Sequence, residues 1–147
     1  MKLKVVELSR VLAGPICGMF LGDLGADVVK VERPDSGDDT RGYGPPFDET
    51  GRSAYFLSLN RNKKSIALDL KSADDLAIFL GLLREADVVI DNYLPDRLKN
   101  FGIDPEELVA RHPQLIWCAI SGFGPGSDRH CGRQRRAVVI MRDRARS

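Results

Sequence analysis

"LKVVEL" (3–8), "GPICGMFLGDLGA" (14–26) and "DVVKVE" (27–32) decide how this chain folds. The first and third are short apolar runs of the kind that form buried strands. The middle one is long enough for a helix. Strand, helix, strand in about thirty residues is the size of a βαβ unit. The same alternation continues along the chain. "KSIALDL" (64–70) reads as a third strand. Ser72 follows as a helix cap with Asp75 in the capping-box position, and Leu76, Phe79, Leu80 and Leu83 form that helix's buried stripe. "DVVIDNY" (87–93) is a fourth strand. Asp104–Pro105 opens another helix, with proline at its first position and Glu107 closing a second capping box. "QLIWCAIS" (114–121) is a fifth strand. Strands alternating with helices predict an α/β fold, a parallel sheet covered on both faces.

The chain has 147 residues, 43% hydrophobic and 29% charged, which suits one soluble globular domain. The formal net charge of +1 hides an asymmetry: residues 1–125 carry 15 Lys/Arg against 19 Asp/Glu, and residues 126–147 carry seven Arg against two Asp. The three cysteines, Cys17, Cys118 and Cys131, suggest reduced thiols rather than a disulfide framework or a metal site. No metal is expected. No run approaches the ~18 apolar residues of a membrane span, and "MKLKVVELSR" lacks a signal-peptide core, so a cytoplasmic location is expected.

Candidate chemistry gathers where the strands end. Ligands of open α/β sheets lie outside the carboxyl ends of the strands. Gly14, Gly18 and Gly22 share one helix face, which allows either close packing on the sheet or close backbone approach to a phosphate at the helix start. Glu32 ends the second strand where a dinucleotide fold would hold a ribose hydroxyl, and Arg33 beside it could stack on a base or pair with a phosphate. The segment 33–53 is rich in Gly, Pro and Asp and has no period, as functional or mobile loops do. Arg61, Lys63, Lys64 and Lys71 form either an anion patch or a solvated face. Asn92 and Tyr93 end the fourth strand. His112 suits a helix C-terminus better than catalysis, and neighbouring His130 and Cys131 do not make a metal site.

Taken together, "VVELSRVLAGPICGMFLGDLGADVVKVERPDSGDDTRGYGPPF", "YFLSLNRNKKSIALDLK", "ADVVIDNYLPDRLKNFGID" and "HPQLIWCAISGFGP" resemble the class III CoA-transferases, almost continuously over residues 1–125. The "GDDTR.YGPPF" and "SLNRNKKSIALDLK" stretches look most like the members that handle dicarboxylates. The related α-methylacyl-CoA racemases share the first helix but usually lack the long loop. The resemblance implies a Rossmann-like large domain, of which this chain holds the N-terminal part. It implies transfer of CoA from an acyl-CoA to a carboxylic acid, through attack by an aspartate carboxylate and an aspartyl-CoA intermediate. It implies coenzyme A contacts at Leu12, Ala13, Arg33, Leu68, Asp69, Leu70, Lys71, Asn92, Tyr93 and Leu94. Asn100 departs from the arginine that formyl-CoA transferase places there.

In the family, an "R-x-G-Y-D" segment and the nucleophile's strand follow "SGFGP"; here the arginine-rich stretch 126–147 follows. That stretch is expected to be disordered or the product of a reading-frame change. A basic tail for nucleic acid or acidic lipid is the rival, weakened because its arginines are not interleaved with aromatics. Asp128 and Asp143 lack the nucleophile's context, so no catalytic residue is assigned. The substrates expected as partners are an acyl-CoA and a carboxylic acid, with no nucleic acid and no membrane. The family's interlocked homodimer is not expected of this length. The alternatives are a non-catalytic CoA- or nucleotide-binding fragment and a racemase relative.

Overall fold

The computed structural model describes residues 2–94 and 97–122, and the backbone of 138–140. Twelve elements follow in order. They are β1 (Lys4–Glu7), α1 (Ala13–Asp23), β2 (Asp27–Glu32), a 3-10 turn at Asp39–Gly42, α2 (Ala54–Asn60), β3 (Lys63–Ala67), α3 (Ala73–Glu85), β4 (Val88–Asp91), a 3-10 turn at Lys99–Phe101, α4 (Pro105–Arg111), β5 (Ile116–Ser121) and β6 (Val138–Ile140). The sheet order is β3-β2-β1-β4-β5-β6. Strands β1 to β5 are parallel, and β6 runs antiparallel to β5. The expected α/β sheet of five parallel strands is therefore present. β6 adds a strand from within the arginine-rich stretch, the rest of which lies outside the described residues.

Side-chain alternation divides the core into two layers. Val6, Leu8, Val31, Val89 and Trp117 face α3 and α4, where Phe79 and Leu83 are fully buried. Val5, Val28, Ile90, Cys118 and Ile120 face α1. β3 is the exception to the apolar rule. It is an edge strand with two exposed lysine and serine positions in "KKSIA", and the chain leaves it at Ala67 so that Leu68 and Leu70 turn into the core. β4 ends earlier than its apolar run suggests, because the Asp91 carboxylate accepts the Tyr93 N–H at 3.0 Å and turns the chain.

Capping partly follows expectation. Asp104 accepts from the N–H groups of Glu106 and Glu107, but the Glu107 carboxylate pairs with Arg111 instead of closing a box. Ser72 is the N-cap of α3 without a side-chain bond, and Asp75 reaches back to the Asp69 N–H at 2.7 Å. Helix α2 is absent from the sequence reading. Its N-cap is Ser53, whose hydroxyl accepts from Phe56 N–H and donates to the Tyr43 carbonyl.

The glycines of α1 serve close packing. A Cβ on Gly14 would meet Ser9 Cβ at 2.1 Å, and one on Gly18 would meet Glu7 Oε2 at 1.9 Å. Gly18→Ala should therefore destabilise the fold by about 1–3 kcal/mol, the usual range for overpacking. Gly81, in open space on α3, gives the opposite sign: Gly81→Ala should stabilise by about 0.5–1 kcal/mol. Urea titrations of both variants check the pair, and equal shifts would contradict the packing assignment.

Candidate ligand site at the carboxyl edge of the sheet

The strand order reverses between β1 and β4, the place where the loops of open α/β sheets diverge and leave a crevice. Asn92 fastens the two sides. Its Oδ1 accepts the Arg10 N–H at 2.9 Å, and its Nδ2 donates to the Arg10 carbonyl at 2.7 Å. The next residue, Val11, has φ of 70°, a left-handed conformation unfavourable for a β-branched side chain. The Asp38 carboxylate holds it there by accepting the Val11 N–H at 3.2 and 3.3 Å.

Beneath the crevice runs a chain of buried charges. Lys30 Nζ lies 2.8 Å from Glu7 Oε1 and 2.9 Å from Asp38 Oδ2, and donates to the Ser9 carbonyl. Glu7 Oε2 lies 2.8 Å from Lys63 Nζ, which also donates to the Pro15 carbonyl and Asn60 Oδ1. The side chains of Glu7 and Asp38 are fully buried, and those of Lys30 and Lys63 are 2% exposed. Two carboxylates alternate with two ammonium groups, so the buried charge balances. Burial pulls the Lys63 pKa down, against the pull of Glu7.

Segment 33–53 is pinned to this network. The Glu32 carboxylate receives Arg41 Nε and Nη2 at 2.8 and 2.7 Å, Ser65 Oγ at 2.6 Å and the Asp38 N–H at 2.8 Å. Those bonds occupy it with protein donors, so the ribose-binding reading of Glu32 gives way to an anchoring one. Farther along, Asp48 accepts from the N–H groups of Thr50 and Arg52 and from both their side chains.

Burial pushes the Asp38 and Glu32 pKa values up, yet the Thr40 N–H and Lys30 around Asp38, and Arg41 and Ser65 around Glu32, leave both below the usual carboxylate range. A folded-state pKa below the unfolded one stabilises above the unfolded value, near pH 4, and that contribution disappears as pH falls through the folded values. Unfolding free energy measured by urea should thus drop steadily on acidification below about pH 4. A flat profile there would show the two carboxylates unperturbed.

The expected contact residues share one edge. Leu12 and Ala13 follow β1 at the start of α1, Arg33 follows β2, Leu68 to Lys71 follow β3, and Asn92 to Leu94 follow β4. Their side chains differ in availability. Leu12 and Leu94 are exposed, and Leu68 and Leu70 belong to the core and offer backbone only. The Asp69 carboxylate accepts the Lys71 N–H, and Lys71 is exposed. Of the basic cluster, Arg61 pairs with Asp23, Lys64 with Asp27 and Lys63 with Glu7, so the anion-patch reading fails for these three.

The positive charge of the edge comes from elsewhere. Arg33 and Arg10 share the single carboxylate of Asp39, at 2.7 and 3.1 Å. Arg10 also lies over the Tyr93 ring, 5.8 Å from its centre. The fields of Arg10, Arg33 and Arg97 all reach the Tyr93 hydroxyl, whose pKa is raised by burial and pulled back by the three arginines. Arg10 and Arg97 are absent from the sequence reading; their signal is position alone, three residues after β1 and six after β4. Helix α1 starts here with no acidic residue in its first turn, leaving its positive end uncompensated by side chains of that turn. The edge thus favours an anionic ligand that carries an aromatic or apolar part.

The model of CoA-transferase family III matches residues 2–135. The chain belongs to that family. A succinate–glutarate CoA-transferase of Agrobacterium fabrum is 50% identical over 127 residues, covering 83% of this chain and 32% of the relative. The human succinyl-CoA:glutarate CoA-transferase is 49% identical over 122 residues, covering 83% and 28%. Among solved structures, a CAIB/BAIF family protein from Brucella suis superposes with a TM-score of 0.78 at 50% identity, covering 91% of this chain and 35% of that one. The chain therefore spans about a third of the length of these CoA-transferase relatives. Among the described residues, no group of three or more His, Cys, Asp or Glu could hold a metal ion, and no helix is long and apolar enough to cross a membrane.

Proposed function

We propose that this chain is the CoA-binding portion of a transferase that moves CoA from an acyl-CoA to a short dicarboxylic acid. The observation that carries the reading is the cluster of Arg10, Arg33 and Arg97 around Tyr93 at the carboxyl edge, with Asp39 as the carboxylate shared by two of them. CoA is a polyanion with an aromatic base and a long, largely neutral arm. Guanidinium groups bind phosphates with directed hydrogen bonds and stack on base faces. Arg33 and Arg10 donate to phosphate oxygens, and the backbone N–H groups at the start of α1, near Leu12 and Ala13, donate to another. Leu68 to Lys71 and Asn92 to Leu94 border the arm. Arg97 lies in the same turn as Asn100 and supplies the guanidinium that Asn100 lacks.

The chemical step of the proposed whole enzyme is nucleophilic. An aspartate carboxylate attacks the acyl-CoA thioester, giving a mixed anhydride and a CoA thiolate. The thiolate returns to the anhydride, releases the first carboxylic acid and leaves an aspartyl-CoA thioester. The acceptor acid then takes CoA by the reverse sequence. Neither aspartate buried near the edge suits that role: Asp38 is locked to Lys30, and Asp91 is bonded to Trp117 and Tyr93. On this reading the described residues form a binding unit.

Calorimetric titration with CoA, paired with a succinyl-CoA and glutarate transfer assay, tests this reading. Binding that weakens with salt, without transfer, is expected. Absence of CoA binding, or transfer by this chain alone, would overturn it.

A further inference from the structure

Two cysteines share one apolar cluster on the face of the sheet that α1 covers. Cys118 is buried in β5, in register beside Ile90 of β4. Cys17 lies in the second turn of α1, between the glycines that bring this helix against the sheet; a Cβ on Gly14 would lie 3.6 Å from Ile90 Cγ2. Cys17 packs against the same apolar cluster that contains Cys118, yet remains partly open to solvent. Cys118 lowers the Cys17 pKa to about 7, with Lys63 acting in the same sense against burial and Glu7. Cys17 in turn pushes the Cys118 pKa up, and burial adds to that. Cys17 is thus the accessible thiol and Cys118 the sheltered one, the arrangement of an attacking and a resolving cysteine.

We infer that Cys17 and Cys118 are a modification site, a dithiol that hydrogen peroxide converts to a disulfide joining α1 to β5. The Cys17 thiolate attacks one peroxide oxygen and breaks the O–O bond. Cys17 becomes a sulfenic acid, and the departing hydroxide takes up the proton that the thiol released, forming water. The Cys118 sulfur then displaces hydroxide from the sulfenic sulfur. The S–S bond forms, the S–O bond breaks, and the Cys118 proton leaves in a second water. Two electrons pass from the two thiols to one peroxide. The inference is independent of the CoA reading.

The test uses the whole purified chain treated with hydrogen peroxide, then alkylated under denaturing conditions, digested with trypsin and analysed by mass spectrometry. The expected product links peptide 11–30 to peptide 112–129, two hydrogens lighter than their sum, with both thiols lost to alkylation together. Cys131, outside the described residues, reports indiscriminate pairing. The link should persist in Cys131→Ser and vanish in Cys17→Ser. Oxidation of Cys17 to a sulfinic acid with Cys118 still alkylatable would overturn the inference. So would links to Cys131 at equal frequency. Both outcomes are read on the unmodified sequence, whatever the variants do to folding.

Discussion

Lys30→Met should destabilise the fold by about 3–5 kcal/mol, the cost of breaking a buried ion pair by removing one partner. Lys30 bridges Glu7 and Asp38, and both carboxylates are fully buried. Without it, Glu7 keeps Lys63, but Asp38 keeps only its hydrogen bonds from Thr40 and the Val11 N–H. An uncompensated carboxylate at that depth must be protonated or drawn toward solvent, and either outcome releases the Val11 turn. Against a total stability of roughly 5–15 kcal/mol for a domain, this is a large fraction. Glu85→Gln, which removes the exposed pair with Lys4, should leave the urea midpoint unchanged. A small effect for Lys30→Met in the same titration would mean that the four-charge network contributes nothing as a unit.

Asn92→Asp should be as damaging to the crevice as Asn92→Ala, although it preserves size and shape. The wild-type amide is used at both ends, accepting from the Arg10 N–H and donating to the Arg10 carbonyl. Alanine forfeits two hydrogen bonds, each contributing about 0.5–1.5 kcal/mol net. Aspartate retains the first but faces a carboxylate oxygen toward a carbonyl oxygen 2.7 Å from where the donor was. The β1 and β4 loops then separate, and Arg10 moves off the Tyr93 ring. A loss of about 1.4 kcal/mol in ligand positioning corresponds to tenfold weaker CoA binding, the minimum expected of either variant. If Asn92→Asp binds CoA as wild type does, the clasp is not what shapes the site.

Much of the architecture can be read without coordinates. β1, β2, β4 and β5 are legible because strands buried on both faces are almost uniformly apolar. α3 and α4 are legible from a stripe at 3.6-residue spacing and from Asp104–Pro105. α2 is not, because seven residues inside a loop are too short to show a period. The buried charges are the deeper loss. Glu7 and Lys30 look like ordinary polar residues in a strand, and they are partners across 23 positions of sequence. What makes room for them is the glycine face of α1: Gly18 has no side chain where the Glu7 carboxylate lies. The glycine stripe is visible in the sequence, but the charges it shelters are not. Similarly, Arg33 is suggested by its place after β2, whereas Arg10 and Arg97 join it only once β1 and β4 are seen to be adjacent.

Hydrogen–deuterium exchange of the chain with and without CoA tests the central claim most directly, that the ligand seats at the carboxyl edge of the parallel strands. Slowed exchange is expected at residues 10–14, 33–41, 68–71 and 92–94, with the opposite edge unchanged. Protection confined to the amino-terminal ends of the strands, or none at CoA concentrations that saturate binding, would contradict it.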